Sequence, residues 1–554
     1  MNSDSALELE ILRQEQRERA ASKMLMDDGS GIFKKELLID ENNVVALIFS
    51  KSAIFSLQLS SYLATASKAI QSKAKKVMKA LLAGCRSLTN CKSKSISCIS
   101  SSFVHHFITT STSGGSKRTY NNIIMEATKQ KTCVYLDYNG TTPVYPPVLE
   151  AMLPYLTDHF GNPSSSHHFG SEPKAAVNKA RRSLLSLIQS VPIVDLSSIM
   201  FTGCGTESNN VAIRLALLSS THKVDKDGLL HVVTTNIEHP AITQCLNSYI
   251  SGGLTPKITV TEVPVDEFGE VSSSDVIDAI QENTALVTIM TANNEVGSLQ
   301  PVFEIAKICR QKHVLFHTDA AQAVGKVDLR GLADETTGAD MVTIVGHKFG
   351  APKGIAALYI RPNCLDENGR VNPEHGGSVL LMGGGQEGGR RGGTENVPYI
   401  AGIGRAADML FEQQGDKSGL EANAMHMQKM RSRLLERITA GLEESTGKTD
   451  ISRVNGPLNA DQRLPNTLSI GLKGVQSGRL LADIGEVVAC SAGSACHSSS
   501  GPTMSYSAIL KAMNVSPEFA VGTLRLSVGP NTSLEDVDFA ADVIVKEATR
   551  QLNT

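Results

Sequence analysis

The chain has 554 residues, of which 41% are hydrophobic and 20% charged, with a formal net charge of −3. This composition is typical of a soluble protein with more than one domain, and the lack of a basic field argues against nucleic acid as a partner. The ten cysteines include no CxxC pair and no zinc-like spacing with histidine, which predicts free thiols, a reducing compartment and no metal site.

The first 130 residues lack the pattern of a folded domain. Met1–Glu41 carries charges of both signs, whereas Asn42–Met125 has no Asp or Glu but many Lys, Arg and Ser. The second composition is transit-peptide-like, although it follows an acidic leader. Val44–Ala66 is apolar but interrupted by a lysine and serines, so a membrane span is disfavoured. We predict that residues 1–130 are a poorly structured or targeting extension, in a cytoplasmic protein or, alternatively, a mitochondrial or plastid one.

From residue 131 onward, short β-rich runs alternate with helical patterns such as Ser171–Gln189. Alternation of this kind predicts an α/β fold in which helices flank a mostly parallel, seven-stranded sheet. The strand candidates are Ser198–Thr202, Leu230–Thr235, Ile258–Val263, Leu286–Thr291, Val314–Thr318, Met341–Val345 and Ile355–Ile360. We assign residues 131–401 to this large domain.

Residues 402–554 are predicted to form a smaller α+β domain. Its first part, Gly402–Glu444, has long helical patterning that is broken at Gly415 and Gly419. A closing helix follows near the C-terminus, and Thr532 with Glu535 predicts a capping box at its start.

The strand Met341–Val345 is followed closely by Lys348. Ligands bind at the carboxyl edge of an open α/β sheet, so this lysine is predicted to lie at a site. A lysine in apolar surroundings loses its proton readily, and a neutral amine condenses with aldehydes. A surface lysine after a strand is the plain alternative.

Four other strand ends carry matching chemistry. Phe201–Asn210 is a glycine-containing turn that opens a helix and suits a phosphate, whereas an ordinary strand–helix turn is the alternative. His239 is able to stack on a ring or to remain a hydrogen-bonded rim histidine. Asn294 lies in a pair of amides that suits a carboxylate or simply closes a turn. Asp319 is either a partner for a pyridine nitrogen or a helix N-cap.

Three further stretches lie outside the predicted large sheet. Gly383–Asn396 is dense in glycine and has paired arginines, which favours anion binding, with a linker as the alternative. Cys496 lies in a loop of small residues, where a reactive thiol is favoured over a buried one. Arg525 is in the middle of an alternating strand pattern and needs a partner, for which a substrate carboxylate fits.

Taken together, these motifs resemble those of the cysteine desulfurase and selenocysteine lyase family, in the class V aminotransferase group of pyridoxal phosphate enzymes. The resemblance begins near Val134 and extends almost to the C-terminus. Its motifs, in order, are LDYNGTTP, TESNN, EHP, NNEVG, TDAAQ, GHK, GGGQE–R–GT, SAGSAC and RLSVG. It implies a fold-type I enzyme with pyridoxal 5′-phosphate as its cofactor, acting as a homodimer.

The resemblance also implies residue roles. Lys348 carries the cofactor and moves the α-proton, and Cys496 accepts sulfur as a persulfide or assists the release of selenium. The implied catalytic residues are Lys348, Cys496 and His239. The implied cofactor-binding residues are Gly205, Thr206, His239, Asp319, Gln322, His347, Lys348 and Thr394, the last reaching the partner subunit's phosphate. The implied substrate-binding residues are Asn294, Arg525 and Arg391.

The substrate is expected to be L-selenocysteine or L-cysteine, with L-alanine as product. Val345–Lys348 and Ala495–Ser498 are more similar to the selenocysteine lyase branch, so that branch is the leading prediction. The alternative is a cysteine desulfurase that supplies persulfide sulfur to an acceptor protein for iron–sulfur clusters or tRNA thiolation. A plain aminotransferase, another β-lyase and a non-catalytic protein of the same fold are the further alternatives.

Overall fold

The structure is a computed structural model. It describes residues 38–40, 43–46, 133–191, 195–365, 380–492 and 506–554. Cys496 and almost all of the predicted extension lie outside the described residues, so the predictions made for them are not addressed. Two short strands near the N-terminus, Leu38–Asp40 (β1) and Asn43–Ala46 (β2), pair antiparallel. Residues 125–554 form a compact unit of their own.

The strands of this unit form one large sheet and three smaller ones. They are β3 (Val134–Tyr135), β4 (Ile199–Thr202), β5 (Leu230–Thr235), β6 (Ile258–Val263), β7 (Thr284–Thr288), β8 (Leu315–Asp319), β9 (Met341–Val345), β10 (Ala356–Ile360), β11 (Gln413–Gln414), β12 (Lys417–Ser418), β13 (Ser452–Asn455), β14 (Thr467–Leu472), β15 (Val488–Ala489) and β16 (Thr523–Ser527). The large sheet has seven strands in the order β4-β10-β9-β8-β7-β5-β6. Only β10 pairs antiparallel with its neighbours. The predicted α/β fold with a mostly parallel seven-stranded sheet is therefore confirmed.

Both faces of the large sheet are covered, which explains why central strands such as β9 and β10 are mainly apolar and buried along their whole length. Along β5, Val232 packs into one hydrophobic cluster and Val233 into another. In β4, Met200 and Phe201 divide between the same two clusters. Because successive side chains in a strand point to opposite faces, the two clusters lie on the two sides of one sheet.

The predicted strand bounds agree closely with the structure, with one instructive difference. The strand predicted at Leu286–Thr291 begins at Thr284 and ends at Thr288. Beyond it, the Asn293 side chain accepts hydrogen bonds from the backbone N–H groups of Glu295 and Val296, at 2.9 and 3.0 Å. An Asn side chain that bonds to nearby backbone turns the chain away from the sheet, which shortens the strand.

The helices of this unit cover the large sheet and build the C-terminal part. They are α1 (Pro146–Leu156), α2 (His168–Ile188), α3 (Gly205–Ser219), α4 (Pro240–Ile250), α5 (Ser273–Ala279), α6 (Val302–Gln311), α7 (Val397–Met409), α8 (Gly419–Thr446), α9 (Ser477–Ile484), α10 (Ala508–Ala512), α11 (Pro517–Ala520) and α12 (Leu534–Leu552). Among the described residues, no helix has the length and apolar character needed to cross a bilayer.

The helix breaks predicted at two glycines are confirmed, and the predicted capping box is displaced by one residue. Gly415 has a φ of 71° in the turn between β11 and β12, and Gly419 is the first residue of α8. The box at the start of α12 is formed by Ser533 and Asp536, so the predicted pair of Thr532 and Glu535 is wrong. The Thr532 hydroxyl instead accepts from the N–H of Gly529 at 2.9 Å.

A second sheet and a third hydrophobic cluster occupy the C-terminal part. Strands β13, β14 and β16 form an antiparallel sheet in that order. Helices α8 and α12 pack on it, with buried side chains such as Leu434 and Ile544. The first strand, β3, pairs in parallel with β15, and Leu136 belongs to this third cluster. The boundary at residues 401 and 402 stays a prediction.

Candidate active site

The residues that follow β4, β5, β7, β8 and β9 converge on one cavity at the carboxyl edge of the large sheet. Its volume is about 260 Å³. The lining residues are Cys204, Gly205, Thr206, Asn209, His239, Ala241, Met290, Ala292, Asn294, Asp319, Ala321, Gln322, Val345, His347 and Lys348. Parallel strands bring their carboxyl ends to the same edge, so residues far apart in sequence meet here.

Lys348 lies in the turn Gly346–Lys348 directly after β9. Its Nζ donates to the backbone oxygens of Asn139 at 2.6 Å and Gly140 at 2.9 Å. Burial, followed by the positive charge of Arg525, lowers the pKa of Lys348 to about 8. About a tenth of this amine is therefore neutral at pH 7, far more than for an ordinary lysine, and the neutral form is the one that attacks an aldehyde.

Asp319 is the last residue of β8 and is 8% exposed. Its Oδ2 accepts from Asn209 Nδ2 at 2.7 Å, and its Oδ1 accepts from the N–H of Ala321 at 2.9 Å. The second bond is a local turn contact. Asp319 therefore has a structural role and also lines the cavity. The two bonds fix the orientation of the carboxylate.

The opposite end of the cavity is the start of α3. Gly205 packs so closely against β9 that an added Cβ would lie 2.6 Å from Val345 Cγ2. The first N–H groups of a helix have no partner within the helix and carry a partial positive charge, which suits a phosphate. Thr206 and His347 line the same region. Burial lowers the pKa of His347 to about 4, so its ring is neutral, and its Nδ1 lies 3.1 Å from Thr141 Oγ1.

His239 ends the loop after β5 and caps α4. Its Nδ1 accepts from the N–H of Ala241 at 3.0 Å. This bond fixes the ring, and the proton of the neutral form is then on Nε2. Desolvation lowers the pKa of His239, while the nearby Asp319 opposes the shift.

Gln322 is held by bonds on both sides of its amide. Its Nε2 donates to the backbone oxygen of Asn139 at 3.0 Å, and its Oε1 accepts from Lys326 Nζ at 3.0 Å. The Asn139 carbonyl thus accepts from both Gln322 and Lys348. An acceptor on one side and a donor on the other orient the amide in the cavity wall.

On the side of β16, Arg525 lies beside the loop that carries Asn294. Its Nη1 donates to the Asn294 backbone oxygen at 3.2 Å, and its Nη2 pairs with Asp137 Oδ1 at 2.7 Å. The Arg525 Nε is buried without a hydrogen-bond partner. The backbone of Arg525 also pairs with Ser491, which precedes the stretch containing Cys496.

Among the described residues, three predicted site residues do not line this cavity: Arg525, Arg391 and Thr394. Arg391 donates from Nε to Glu207 Oε1 at 2.8 Å, beside the start of α3 and away from Arg525. Thr394 is exposed and does not line the cavity; its contact with a partner subunit stays a prediction. The arginines of the glycine-rich stretch are engaged within the chain, since Arg390 also bonds to the Ser197 backbone oxygen.

Sequence reasoning missed several side chains that support the site. Asn139 and Asp137 lie in a motif that was read only as a family signature, and Asn209 lies in another. Glu238 precedes His239, and its Oε1 accepts from Thr235 and from the N–H of Met290. Burial raises the pKa of Glu238 to about 8, so it is largely neutral. The signal available in the sequence was a glutamate shortly after a strand and next to the predicted site residue His239.

The cavity fits a flat, phosphorylated aldehyde. Lys348 offers an amine of lowered pKa, and Asp319 offers a hydrogen-bonded carboxylate for a ring nitrogen. The start of α3, with Gly205 packed tightly on Val345, offers backbone N–H groups for the phosphate. Among the described residues, no group of His, Cys, Asp and Glu is arranged to hold a metal ion.

Comparison with known proteins gives a consistent result. The model of the family Aminotransferase class-V matches residues 134–539. A protein named Cysteine desulfurase from Nostoc sp. is 39% identical over 412 residues, which cover 74% of this chain and 92% of the relative. Cysteine desulfurase IscS of Methanosarcina thermophila is 36% identical over 418 residues, covering 75% and 92%.

Solved structures show the same likeness. A NifS-like protein is 32% identical with a TM-score of 0.61, covering 76% of this chain and 99% of that chain. A structure of SspA in complex with cysteine is 28% identical with a TM-score of 0.54, covering 72% and 99%.

Proposed function

Because this chain belongs to the class-V aminotransferase family and to its cysteine desulfurases, we propose that it takes sulfur from L-cysteine and releases L-alanine. Enzymes of this family depend on pyridoxal 5′-phosphate, and this chain is a pyridoxal phosphate enzyme. The single observation that carries the proposal is the cavity in which Lys348, Asp319 and the start of α3 meet.

Bound pyridoxal phosphate supplies an aldehyde that joins the substrate amine and a ring that accepts electrons. The residues of the chain do the remaining work. Thr206 and His347, with the first N–H groups of α3, bind the phosphate. Asp319 would accept a hydrogen bond from the protonated ring nitrogen, and Gln322 would donate to the ring oxygen. His239, held by its bond to the Ala241 N–H, would stack on the ring.

Lys348 is the base of the reaction. Its Nζ donates hydrogen bonds to the Asn139 and Gly140 carbonyls, which carry no charge to offset its own. With the cofactor and substrate bound, Lys348 would remove the α-proton and later return a proton to the product. A pKa of about 8 lets the same nitrogen serve in both directions near neutral pH.

Arg525 binds the substrate carboxylate. Its guanidinium already pairs with Asp137 Oδ1 at 2.7 Å, so a carboxylate approaching it either shares the charge or replaces that partner. Asn294 lines the cavity beside Arg525 and acts with it.

Cys496 is the sulfur acceptor. Its thiolate attacks the sulfur of cysteine, the carbon–sulfur bond breaks, and its electrons stay with the carbon that becomes alanine. The products are alanine and the Cys496 persulfide, so sulfur passes on without an external oxidant or reductant. The residue lies five positions after Ser491, whose backbone pairs with Arg525, and about five extended residues reach roughly 17 Å.

Cysteine is proposed in place of selenocysteine, which was the leading prediction from the sequence. The motif variants Val345–Lys348 and Ala495–Ser498 favoured the lyase branch, but the relatives reported above are named cysteine desulfurases. The relative SspA has been solved with cysteine bound, which agrees with this choice. The names of these relatives favour the alternative prediction from the sequence, which was a cysteine desulfurase.

The test measures alanine and persulfide with L-cysteine and L-selenocysteine side by side. Cys496→Ala should abolish persulfide formation and lower alanine release from cysteine by about a hundredfold or more. Cys490→Ala is the matched control, because burial raises the pKa of that thiol to about 12 and keeps it protonated. Persulfide formation that survives Cys496→Ala, or alanine release confined to selenocysteine, would contradict the proposal.

We also propose that the enzyme works as a homodimer and hands its sulfur to an acceptor protein. Large apolar side chains are exposed on and near α1 and α2, among them Leu153, Leu156, Phe160 and Phe169. An exposed apolar surface of this kind is typical of an interface. Light scattering of the holoenzyme should give twice the mass of the chain, and a monomer that retains full activity would contradict the dimer.

A further inference from the structure

A second cavity lies behind the cofactor cavity and has no part in the chemistry proposed above. Its volume is about 590 Å³, compared with about 260 Å³ for the cofactor cavity. It is bounded by the turn after β8, the N-terminal half of α8 and the loop before β14, and it opens to solvent. We call it the basic cavity, defined by its lining residues Lys326, Arg431 and Arg463.

These three cations are buried. Lys326 and Arg463 are each 4% exposed, and Arg431 is 8% exposed. Lys326 Nζ donates to the backbone oxygen and to Oε1 of Gln322. Arg431 donates to the Leu464 backbone oxygen, and Arg463 uses Nη1 and Nη2 for backbone oxygens. The Nε of Arg463 is buried without a partner.

Within the part of the chain that the structure describes, none of the three cations forms an ion pair. The carboxylates that line the cavity, Asp328, Glu421 and Asp461, are exposed at its rim. Asp328 is paired with Arg330 at 2.5 Å, and Glu421 accepts from the N–H of Ser418 at 2.9 Å. The buried lining of the cavity, which we call its floor, is therefore positively charged, whereas its carboxylates face solvent.

Buried cations without a counter-charge destabilise a fold, since each loses hydration. Burial, joined by the charge of Arg431, lowers the pKa of Arg463 to about 9, and burial lowers that of Lys326 to about 7. A bound anion removes this cost by supplying the missing charge. Arginine side chains bind carboxylate and phosphate groups through paired N–H donors.

The size of the cavity and its apolar walls narrow the class of ligand. Phe303, Leu410 and Leu420 line it together with the cations. A cavity of this volume is in the range that holds small organic molecules and exceeds the needs of a single inorganic ion. We propose that the basic cavity binds a small organic anion with two or more carboxylate or phosphate groups, held by Lys326, Arg431 and Arg463.

The basic cavity also touches the cofactor site. Lys326 is shared, because its Nζ holds the Oε1 of Gln322, which lines the cofactor cavity. An anion in the basic cavity favours the protonated form of Lys326 and so strengthens its bond to Gln322. The ligand therefore acts as an effector of the cofactor site, and occupancy should change the absorption of the bound cofactor.

The experiment is calorimetric titration of the holoenzyme, in which the cofactor phosphate already fills the site at α3. The probes are citrate and inorganic pyrophosphate, which distinguish carboxylate from phosphate recognition, with inorganic phosphate as the small reference. Arg431→Gln removes one cation of the floor. Gln428→Glu adds a carboxylate to the wall without removing any group from the floor. Arg433→Gln is the matched control, on the same helix but paired with Asp538 at the surface.

Citrate or pyrophosphate should bind with a stoichiometry of one per chain and more tightly than phosphate. Arg431→Gln should weaken binding about tenfold or more, since a charge-assisted hydrogen bond contributes about 1.5–3 kcal/mol. Gln428→Glu should weaken it about threefold or more through repulsion, and Arg433→Gln should leave it unchanged. The proposal is overturned if neither probe binds, or if binding is the same in Gln428→Glu and wild type. Either result leaves the desulfurase activity, and the proposal for it, untouched.

Discussion

The cofactor cavity and the basic cavity each contain a buried lysine whose pKa is lowered, to about 8 for Lys348 and about 7 for Lys326. Burial is the main cause in both. Their neighbours differ, because Asp319 and Asp137 partly restore the pKa of Lys348, whereas only cations act on Lys326 beside its burial.

The comparison teaches that a lowered pKa marks burial and does not by itself mark a catalytic amine. Lys348 has a carboxylate, a helix start and open volume around it, which together suit an aldehyde cofactor. Lys326 has a carbonyl and an amide oxygen on its amine and further cations in the same cavity. The first lysine is placed to react, and the second is placed to hold an anion and a neighbouring side chain.

The largest expected effect comes from removing each lysine in turn. Lys348→Ala should end covalent attachment of the cofactor and lower the desulfurase rate by at least about 10²–10⁴-fold, the usual contribution of a proton-transfer group. Lys326→Met should keep covalent attachment while weakening cofactor affinity, because only the orientation of Gln322 is lost. Borohydride reduction followed by mass spectrometry measures attachment. Loss of covalent cofactor attachment in Lys326→Met would contradict the different roles given to Lys348 and Lys326.

The next effect concerns the carboxylates. Asp319→Asn should lower kcat by roughly a hundredfold or more, because an amide does not stabilise a protonated ring nitrogen. Asp328→Asn is the matched control, since that carboxylate lies at the rim of the basic cavity and pairs with Arg330. Steady-state alanine release checks both. Equal losses in the two variants would indicate general destabilisation and contradict the role given to Asp319.

A smaller effect is expected in the pH dependence of cofactor capture by the apoenzyme. Capture requires the neutral amine of Lys348, so its rate should rise with pH and level off above about pH 8. Arg525→Gln removes a positive charge that lowers this pKa, and should move the curve to higher pH. Stopped-flow absorbance over a pH series measures both curves. A wild-type curve that still rises steeply near the usual lysine pKa would contradict the assignment.

The smallest effect on activity is expected at Glu238, the buried carboxyl near Asp319. Its pKa is raised from 4.5 to about 8, so the folded state holds a proton that the unfolded state has lost between these values. Stability should therefore fall as pH rises through this window. Glu238→Gln keeps the acceptor for Thr235 and Met290 and should remove the fall, with activity changed less than about threefold. Denaturant unfolding across the window tests this; a fall that persists in the variant would contradict it.

The sequence predicts the features that depend on local pattern. The buried strand before Lys348, the strand before Asp319 and the glycine turn before Thr206 are all apparent from apolar runs and their ends. Parallel topology then requires that these ends meet, so most of the cofactor cavity follows from the order of the strands. The Gly415 and Gly419 breaks were predicted for the same local reason.

The basic cavity was not predictable in this way. Lys326 lies in an irregular turn, Arg431 in the middle of a long helix, and Arg463 in a loop, and none of the three positions has a pattern that marks burial. They come together only when α8 packs over the turn after β8. Asn139 was overlooked for a related reason, because its contacts lie far along the chain. The role of Cys496 rests on sequence alone.

The position of Asn139 has a consequence for biosynthesis. Its N–H donates to Ser527 Oγ at 2.9 Å, its amide contacts Asn466 and Thr467, and its carbonyl accepts from Lys348. Ser527, at the end of β16, lies 388 residues after Asn139 in the chain. The amine that captures the cofactor therefore acquires its full setting only after the ribosome has delivered the chain beyond Ser527, since a domain folds as a unit. Nascent chains truncated before Thr523 should therefore be translated without binding pyridoxal phosphate.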